Sequence, residues 1–200
     1  MIGAARAPAS PSRIALVERG SMSSHSPSAT PPNRGASAPG RGALSPEAAQ
    51  EAMARSKMLS ASLGGVVAVL IQSPDYKFHT LADLEWLVGP SLALQQFALL
   101  EGLTPDGANL YPAATVLWAL VSAEVDARLS RELDRPIRLA PGEWRSGPIP
   151  WIIIATGDRK ALPALLEKLA TTKFKDAPPK IRVRGADGRV SVGLLQNKIA

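Results

Sequence analysis

The residues best suited to chemistry lie in a short connector, Tyr76-Lys77-Phe78-His79, directly before a predicted helix. Histidine is the side chain most often used as a general base near neutral pH. The positive end of the following helix disfavours a charged imidazole and so favours the neutral form that a base requires. His79 is therefore the candidate base. The alternative is a surface histidine with a local hydrogen bond, beside a packed Tyr76 ring and a solvated Lys77 amine.

Three carboxylates are candidates for an acidic partner of this histidine. Asp158 follows a glycine between a predicted strand and a predicted helix, so it is either a catalytic acid or the cap of that helix. Asp83 and Glu85 are two residues apart on a helix, so their carboxylates face apart and cannot form an acid pair. Asp83 fits better as the capping partner of Thr80, three residues earlier.

A second set of candidates is basic. Lys180, Arg182 and Arg184 alternate along a predicted strand, so their side chains project from the same face. Such a face suits an acidic binding partner. A solvated edge strand protected by charge explains the same pattern without any function.

Composition excludes several kinds of site. The chain has no cysteine and two histidines, which leaves no thiol nucleophile and too few ligands for a multi-histidine metal site. The absence of cysteine suits a cytoplasmic protein. Glycine-rich phosphate loops and a serine nucleophile elbow are also missing from the sequence. We therefore expect no bound metal or cofactor.

The net charge of +6 does not indicate nucleic-acid binding once it is divided along the chain. Residues 1–45 contain five arginines and one glutamate, a net +4, whereas the remaining 155 residues carry 18 basic and 16 acidic groups, a net +2. A basic tail and a nearly neutral body do not form a DNA-binding face.

The chain divides into a tail and one domain. Residues 1–45 are rich in Ala, Pro, Ser and Arg without an apolar period, which predicts disorder. Residues 46–200 are expected to form a single domain. Its longest apolar run, residues 63–71, is about half of the roughly 20 residues that a membrane span needs, so no transmembrane segment is expected.

The helices and strands that position these residues can be predicted from the apolar periodicity and from the residues that cap helices or form turns. A helix begins after Ser45, and a second one, capped at Thr80, is expected to stop or kink at Gly89-Pro90. Its apolar face consists of Leu81, Leu84, Leu87 and Val88. Strands are predicted at residues 95–100, 113–121 and 151–156, with a helix after each of the last two and a closing hairpin that turns at Asp187-Gly188. This order predicts an α+β fold with a largely antiparallel sheet.

Residues about 60–192 carry a resemblance to a known family. It rests on these motifs in consistent order: Ser73-Pro74, LADLEWLV, Pro90, Gln95-Gln96-Phe97, Trp118-Ala119, Ser122, Glu143-Trp144-Arg145-Ser146-Gly147, Trp151, Phe174-Lys175-Asp176 and IRVRG. In these motifs the chain resembles the toxin-activating lysine-acyltransferases, the hemolysin-activating C proteins of RTX toxin operons.

The resemblance implies a GNAT-like fold, a twisted and mostly antiparallel sheet flanked by helices, often in a homodimer. It implies transfer of a fatty acyl group from acyl carrier protein to internal lysines of a protein acceptor, such as an RTX-type toxin. The acidic carrier protein would then be the partner of Lys180, Arg182 and Arg184. The glycine-rich pyrophosphate loop of GNAT enzymes is missing, which favours acyl carrier protein over free coenzyme A as the donor.

The chain departs from the family at its catalytic positions. The family pattern places its histidine two residues after Ser-Pro, where this chain has Tyr76, and its aspartate where this chain has Ile154. One hypothesis is a divergent acyltransferase in which His79 is the base, Asp158 orients it and Tyr76 contributes to substrate binding. The alternative is a catalytically lapsed protein of the same fold that acts as a partner-binding or scaffolding module.

Overall fold

The computed structural model describes residues 14–15 and 45–195. The predicted disorder of residues 1–45 therefore concerns a segment that lies almost entirely outside the described residues. The described residues form one open sheet with helices on both faces. The sheet contains β1 (Ile14–Ala15), β2 (Phe97–Leu103), β3 (Leu110–Val121), β4 (Ile149–Gly157), β5 (Lys180–Arg184) and β6 (Val190–Leu194), in that order from edge to edge.

All neighbouring strands are antiparallel except β4 and β5, which are parallel. The predicted α+β class with a largely antiparallel sheet is confirmed. β4 and β5 share a single register pair, Trp151 with Lys180. β4 also carries a β-bulge: Leu117 of β3 pairs with Ile154, whereas Trp118 pairs with Ile152. Ile153 is therefore an extra residue without a register partner on β3.

Within the described residues, five α-helices accompany the sheet: α1 (Pro46–Leu70), α2 (Leu84–Leu87), α3 (Gly89–Ala93), α4 (Ala123–Arg131) and α5 (Ala161–Thr171). Residues 113–119 of β3 are all buried, because α1 packs on one face of the strand and α5 on the other. The continuous apolar run 113–121 had predicted this central strand, and the prediction is confirmed. Alternate residues divide the core: Val116 and Trp118 face α5, and Leu117 faces α1.

The helix predicted after Thr80 is interrupted at Val88, directly before the Gly89-Pro90 pair that was predicted to stop or kink it. The chain forms a 3₁₀ turn at Leu81–Asp83, then α2, and then α3, which contains Pro90 near its start. Proline is compatible with the first turn of a helix because its missing N–H is not needed there. Gln95 then adopts φ 55°, in the left-handed region, and the next strand begins at Phe97 instead of residue 95. Leu81 is 84% exposed and does not belong to the buried apolar face.

α1 is long and apolar enough to cross a membrane by length and composition alone, with a mean hydropathy of 1.2 over 18 residues, 22% of them buried. A helix that packs on a protein core passes the same test. The second half of α1 buries Gly65, Val66, Val69 and Leu70, whereas most of its first half is exposed. The expected absence of a transmembrane segment stays a prediction.

Candidate functional site

The connector between α1 and the 3₁₀ turn is coiled tightly against the end of α1. The backbone N–H groups of Tyr76 and Lys77 both donate to the carbonyl of Ser73, over 3.2 and 3.0 Å. This coil turns the Tyr76 ring inward, where it packs against the cluster between α1 and the sheet. Burial raises the pKa of the Tyr76 phenol, and the neighbouring charge of Asp75 raises it further. Tyr76 is therefore a neutral, largely buried phenol.

His79 is exposed and lies at the outer side of the same connector. Its Nδ1 atom is 3.2 Å from the backbone carbonyl of Tyr76. A carbonyl oxygen only accepts hydrogen bonds, so we assign the proton of the neutral ring to Nδ1. Nε2 then carries the free lone pair. The rings of Tyr76 and Trp86 flank the imidazole, at centroid distances of 5.7 and 6.3 Å. The arrangement suits a base that accepts a proton from solvent or from a bound amine.

Asp83 is the carboxylate of this neighbourhood. It accepts hydrogen bonds from the backbone N–H of Thr80 at 2.8 Å, the Thr80 hydroxyl at 2.9 Å and Nε1 of Trp86 at 3.1 Å. The bonds from Thr80 and then Trp86 lower the pKa of Asp83, and the charge of His79 adds a smaller lowering. The predicted capping role of Asp83 is confirmed. Sequence reasoning missed the electrostatic influence of His79 on Asp83. No helical spacing rule could have indicated it, because His79 lies in the connector before the 3₁₀ turn.

Asp158 lies at the end of β4 and caps α5. Its Oδ1 accepts the backbone N–H groups of Lys160 at 3.0 Å and Ala161 at 2.7 Å, and its Oδ2 accepts the hydroxyl of Tyr111 at 3.3 Å. The helix-cap alternative therefore describes its contacts. Neither these bonds nor the contacts of His79 join the two residues, which lie on different sides of the sheet. Their predicted catalytic roles stay predictions.

Lys180 is held inside the protein by an ion pair. Its Nζ lies 2.7 and 2.9 Å from the two carboxylate oxygens of Asp126 on α4. Asp126 also accepts the indole N–H of Trp151 at 2.7 Å, and the Lys180 ammonium lies 6.0 Å from the centroid of that ring. The three side chains join α4, β4 and β5, so this network has a structural role.

Arg182 also has internal partners. Its guanidinium donates to the backbone carbonyls of Leu129 and Arg135, each over 2.6 Å, at the end of α4. Burial lowers the pKa of Arg182. Arg184 is exposed, and its nearest acceptor is the Gly188 carbonyl at 3.5 Å. The edge-strand explanation of this basic set is wrong, because β5 lies between β4 and β6.

Two comparisons with known proteins place these features in a wider context. A family model described as the RTX toxin acyltransferase family matches residues 55–191, more than half of the chain. The chain belongs to this family. No curated protein matches the sequence. The match spans the structure from α1 to the start of β6, so the connector, the bulged β4 and the basic strand all lie within it.

The two positions at which members of the RTX toxin acyltransferase family are expected to have histidine and aspartate lie in one cluster of this structure. Ile154 is 1% exposed, and Tyr76 packs against the same apolar group. The other buried members of this cluster are Val66, Leu70, Leu87, Val88, Leu92 and Leu117. Positions 76 and 154 are far apart in the sequence but belong to one cluster. This supports the alignment that assigned the histidine and aspartate positions of the family pattern to them. The side chains there are a partly buried neutral phenol and a buried alkyl group, so these two positions supply no carboxylate and no imidazole.

No group of three or more His, Cys, Asp or Glu side chains that could hold a metal ion occurs in the part of the chain that the structure describes. The candidate site combines the exposed imidazole of His79, the fixed carboxylate of Asp83 and the Trp86 indole that contacts both of them.

Proposed function

We propose that this member of the RTX toxin acyltransferase family transfers a fatty acyl group from acyl carrier protein to lysine side chains of a protein acceptor. Family membership supports acyl transfer as the general reaction. The hydrogen bond of His79 Nδ1 to the Tyr76 carbonyl is the observation that carries the proposal, because it leaves Nε2 as an exposed proton acceptor.

In this reaction the neutral amine of the acceptor lysine attacks the thioester carbonyl. A C–N bond forms, the C–S bond breaks, and His79 Nε2 takes the proton that the amine loses. The protonated His79 then gives this proton to the leaving thiolate, which departs as a thiol, and the imidazole returns to its neutral form. The oxyanion of the tetrahedral intermediate needs a hydrogen-bond donor near His79, and the described contacts of the His79 ring do not include the bulge at Ile153.

The donor and the acceptor are both proteins in this proposal. Acyl carrier protein is acidic, and Arg184 is the member of the predicted basic set that stays exposed for it. Arg189, across the turn between β5 and β6, is exposed as well and extends the same positive surface. We propose that the encounter occurs in the cytoplasm and that the acceptor is an RTX-type protein.

The test measures transfer of a fatty acyl group from acyl carrier protein to an RTX-type acceptor by intact-protein mass spectrometry. His79→Gln should lower the rate by about 10²- to 10⁴-fold, the usual contribution of a general base. His25→Gln, which changes the only other histidine in the sequence, should transfer at the wild-type rate. Equal rates for wild type and His79→Gln would remove His79 from the mechanism.

A second function is favoured by the cluster around positions 76 and 154. Because Tyr76 and Ile154 close this region with apolar contacts, the fold suits a protein that binds its partner without turnover. Under this function the wild-type chain transfers no acyl group above the rate without protein, yet it associates with the acceptor in sedimentation velocity. Turnover proportional to the concentration of the chain would exclude this second function.

A further inference from the structure

The described contacts of the His79 imidazole are one hydrogen bond and two flanking rings. The side chain is exposed, and the hydrogen bond to the Tyr76 carbonyl fixes one ring atom. The Trp86 ring lies at a centroid distance of 6.3 Å and an interplanar angle of 50°. Trp86 is half-buried and packs against the cluster between α1 and the sheet. The orientation of the exposed imidazole therefore depends on the positions of the Tyr76 and Trp86 rings.

Trp86 is held from two directions. At the edge of its ring, Nε1 donates to Oδ1 of Asp83 at 3.1 Å. Over its face, the guanidinium of Arg138 lies 4.7 Å from the ring centroid, within the range of a cation–π contact. Asp83 precedes Trp86 by three residues, whereas Arg138 comes from the distant segment between α4 and the 3₁₀ helix Pro141–Trp144. Arg138 is therefore a long-range contact that restrains the ring beside His79.

The segment that carries Arg138 is anchored on both sides of it. The Arg135 carbonyl accepts a guanidinium of β5 at 2.6 Å, and the Ala140 N–H donates to a carboxylate of the following 3₁₀ helix at 2.8 Å. The direct neighbours Ile137 and Leu139 both pack into the core beside α4. Because its two neighbours face the core, Arg138 is exposed and its side chain lies over Trp86.

We propose that Arg138 is a positioning residue: it holds the Trp86 ring, and that ring orients the His79 imidazole. The proposal rests on the acyl-transfer function with His79 as the base. Arg138→Met removes the cation and keeps an apolar stem, and it should lower kcat about 2- to 5-fold. This factor corresponds to the roughly 0.5–1 kcal/mol of an exposed cation–π contact. KM for the acceptor should stay unchanged, because the contact orients the base and binds no substrate. Arg138→Lys keeps a cation for the ring and should recover most of the lost rate.

A second measurement needs no turnover. In a His25→Gln background His79 is the only histidine of the sequence, so its imidazole protons give a single set of NMR signals. The flanking rings of Tyr76 and Trp86 displace these signals from those of a free imidazole. Arg138→Met should move the signals toward the free values, because the Trp86 ring loses a restraint. Spectra at pH 9, where an imidazole is neutral, exclude an effect through protonation.

The matched control is Arg135→Met, at a second exposed arginine of the same segment, which contacts β5 through its backbone carbonyl. It should leave the His79 signals and kcat at their wild-type values.

Unchanged His79 signals in Arg138→Met, or an equal change in Arg135→Met, would overturn the positioning role. Changed signals with wild-type kcat would overturn it as well, and a raised KM at wild-type kcat would assign Arg138 to acceptor binding instead. If the wild-type chain transfers no acyl group, the acyl-transfer function fails. A signal change confined to Arg138→Met would then still support the restraint of the imidazole by Arg138 through Trp86.

Discussion

Ile154→Asp is the substitution that best tests the dry cluster at the family's catalytic positions. Ile154 is 1% exposed, and the cluster around it offers a carboxylate no cationic partner. Loss of the isoleucine side chain costs about 2–4 kcal/mol. A buried carboxyl has a higher pKa in the folded state than its value of about 3.9 in the unfolded state. The unfolded state therefore releases a proton that the folded state keeps, and stability is lost as the pH rises.

The size of this pH effect follows from the unfolded pKa. Holding the carboxyl neutral costs up to about 5 kcal/mol at pH 7.5 and about 1 kcal/mol at pH 4.5. Relative to Ile154→Asn, which does not titrate, Ile154→Asp should lose up to about 4 kcal/mol of additional stability between these two pH values. The measurement is the free energy of unfolding in urea for both variants at both pH values. An equal difference at pH 4.5 and 7.5 would show that position 154 is solvated or paired with a charge, and the dry-core interpretation would be wrong.

Three further predictions concern stability. Lys180→Met should lower the free energy of unfolding by about 1–3 kcal/mol, because Asp126 loses its cation in a partly buried site. The control Arg184→Met should change the free energy of unfolding by less than about 0.5 kcal/mol. Urea denaturation of both variants measures the difference. Gly147→Ala should cost at least about 2 kcal/mol, because a Cβ atom there would lie 2.6 Å from a backbone carbonyl oxygen of β3. Gly64→Ala, where a Cβ meets open space on α1, should instead raise the melting temperature by a few degrees.

Local sequence signals predicted the fold well where they allowed one interpretation. The apolar run of β3, the Asp187-Gly188 turn and the Ser45 cap of α1 each correspond to an observed element. Pro90 allowed two interpretations, because proline both ends a preceding helix and starts a new one. The chain uses the second, and the helix α3 delays the next strand. The bulge at Ile153 has no local signal in a run of apolar residues, so only the pairing of β4 with β3 reveals it.

The candidate site was less predictable, because its residues gain their roles from distant elements. Alternation placed Lys180 and Arg182 on one face, but it could not show that α4 supplies their partners, Asp126 of its first turn for Lys180 and the Leu129 carbonyl near its end for Arg182. Asp158 carries the sequence signal of a helix cap, and the structure uses it in that way. The short spacing between His79 and Asp83 was visible in the sequence. The capping role of Asp83 is the one that its hydrogen bonds to Thr80 show, and its other hydrogen bond goes to Trp86.

This chain has Tyr76 where the family pattern has histidine and Ile154 where it has aspartate, and the two replacements are consistent with each other in physical terms. An aspartate opposite Tyr76 would be a buried charge without a partner, and a histidine opposite Ile154 would lose its carboxylate. With both positions apolar, the cluster contains no carboxylate and no imidazole, and the base that we propose, His79, lies outside it on the connector. The hydrogen bonds of Asp83 in the 3₁₀ turn go to Thr80 and Trp86. Because His79 is exposed, the proposed reaction requires the donor and acceptor proteins themselves to exclude water. Under this mechanism, acyl transfer should depend steeply on the simultaneous binding of both proteins.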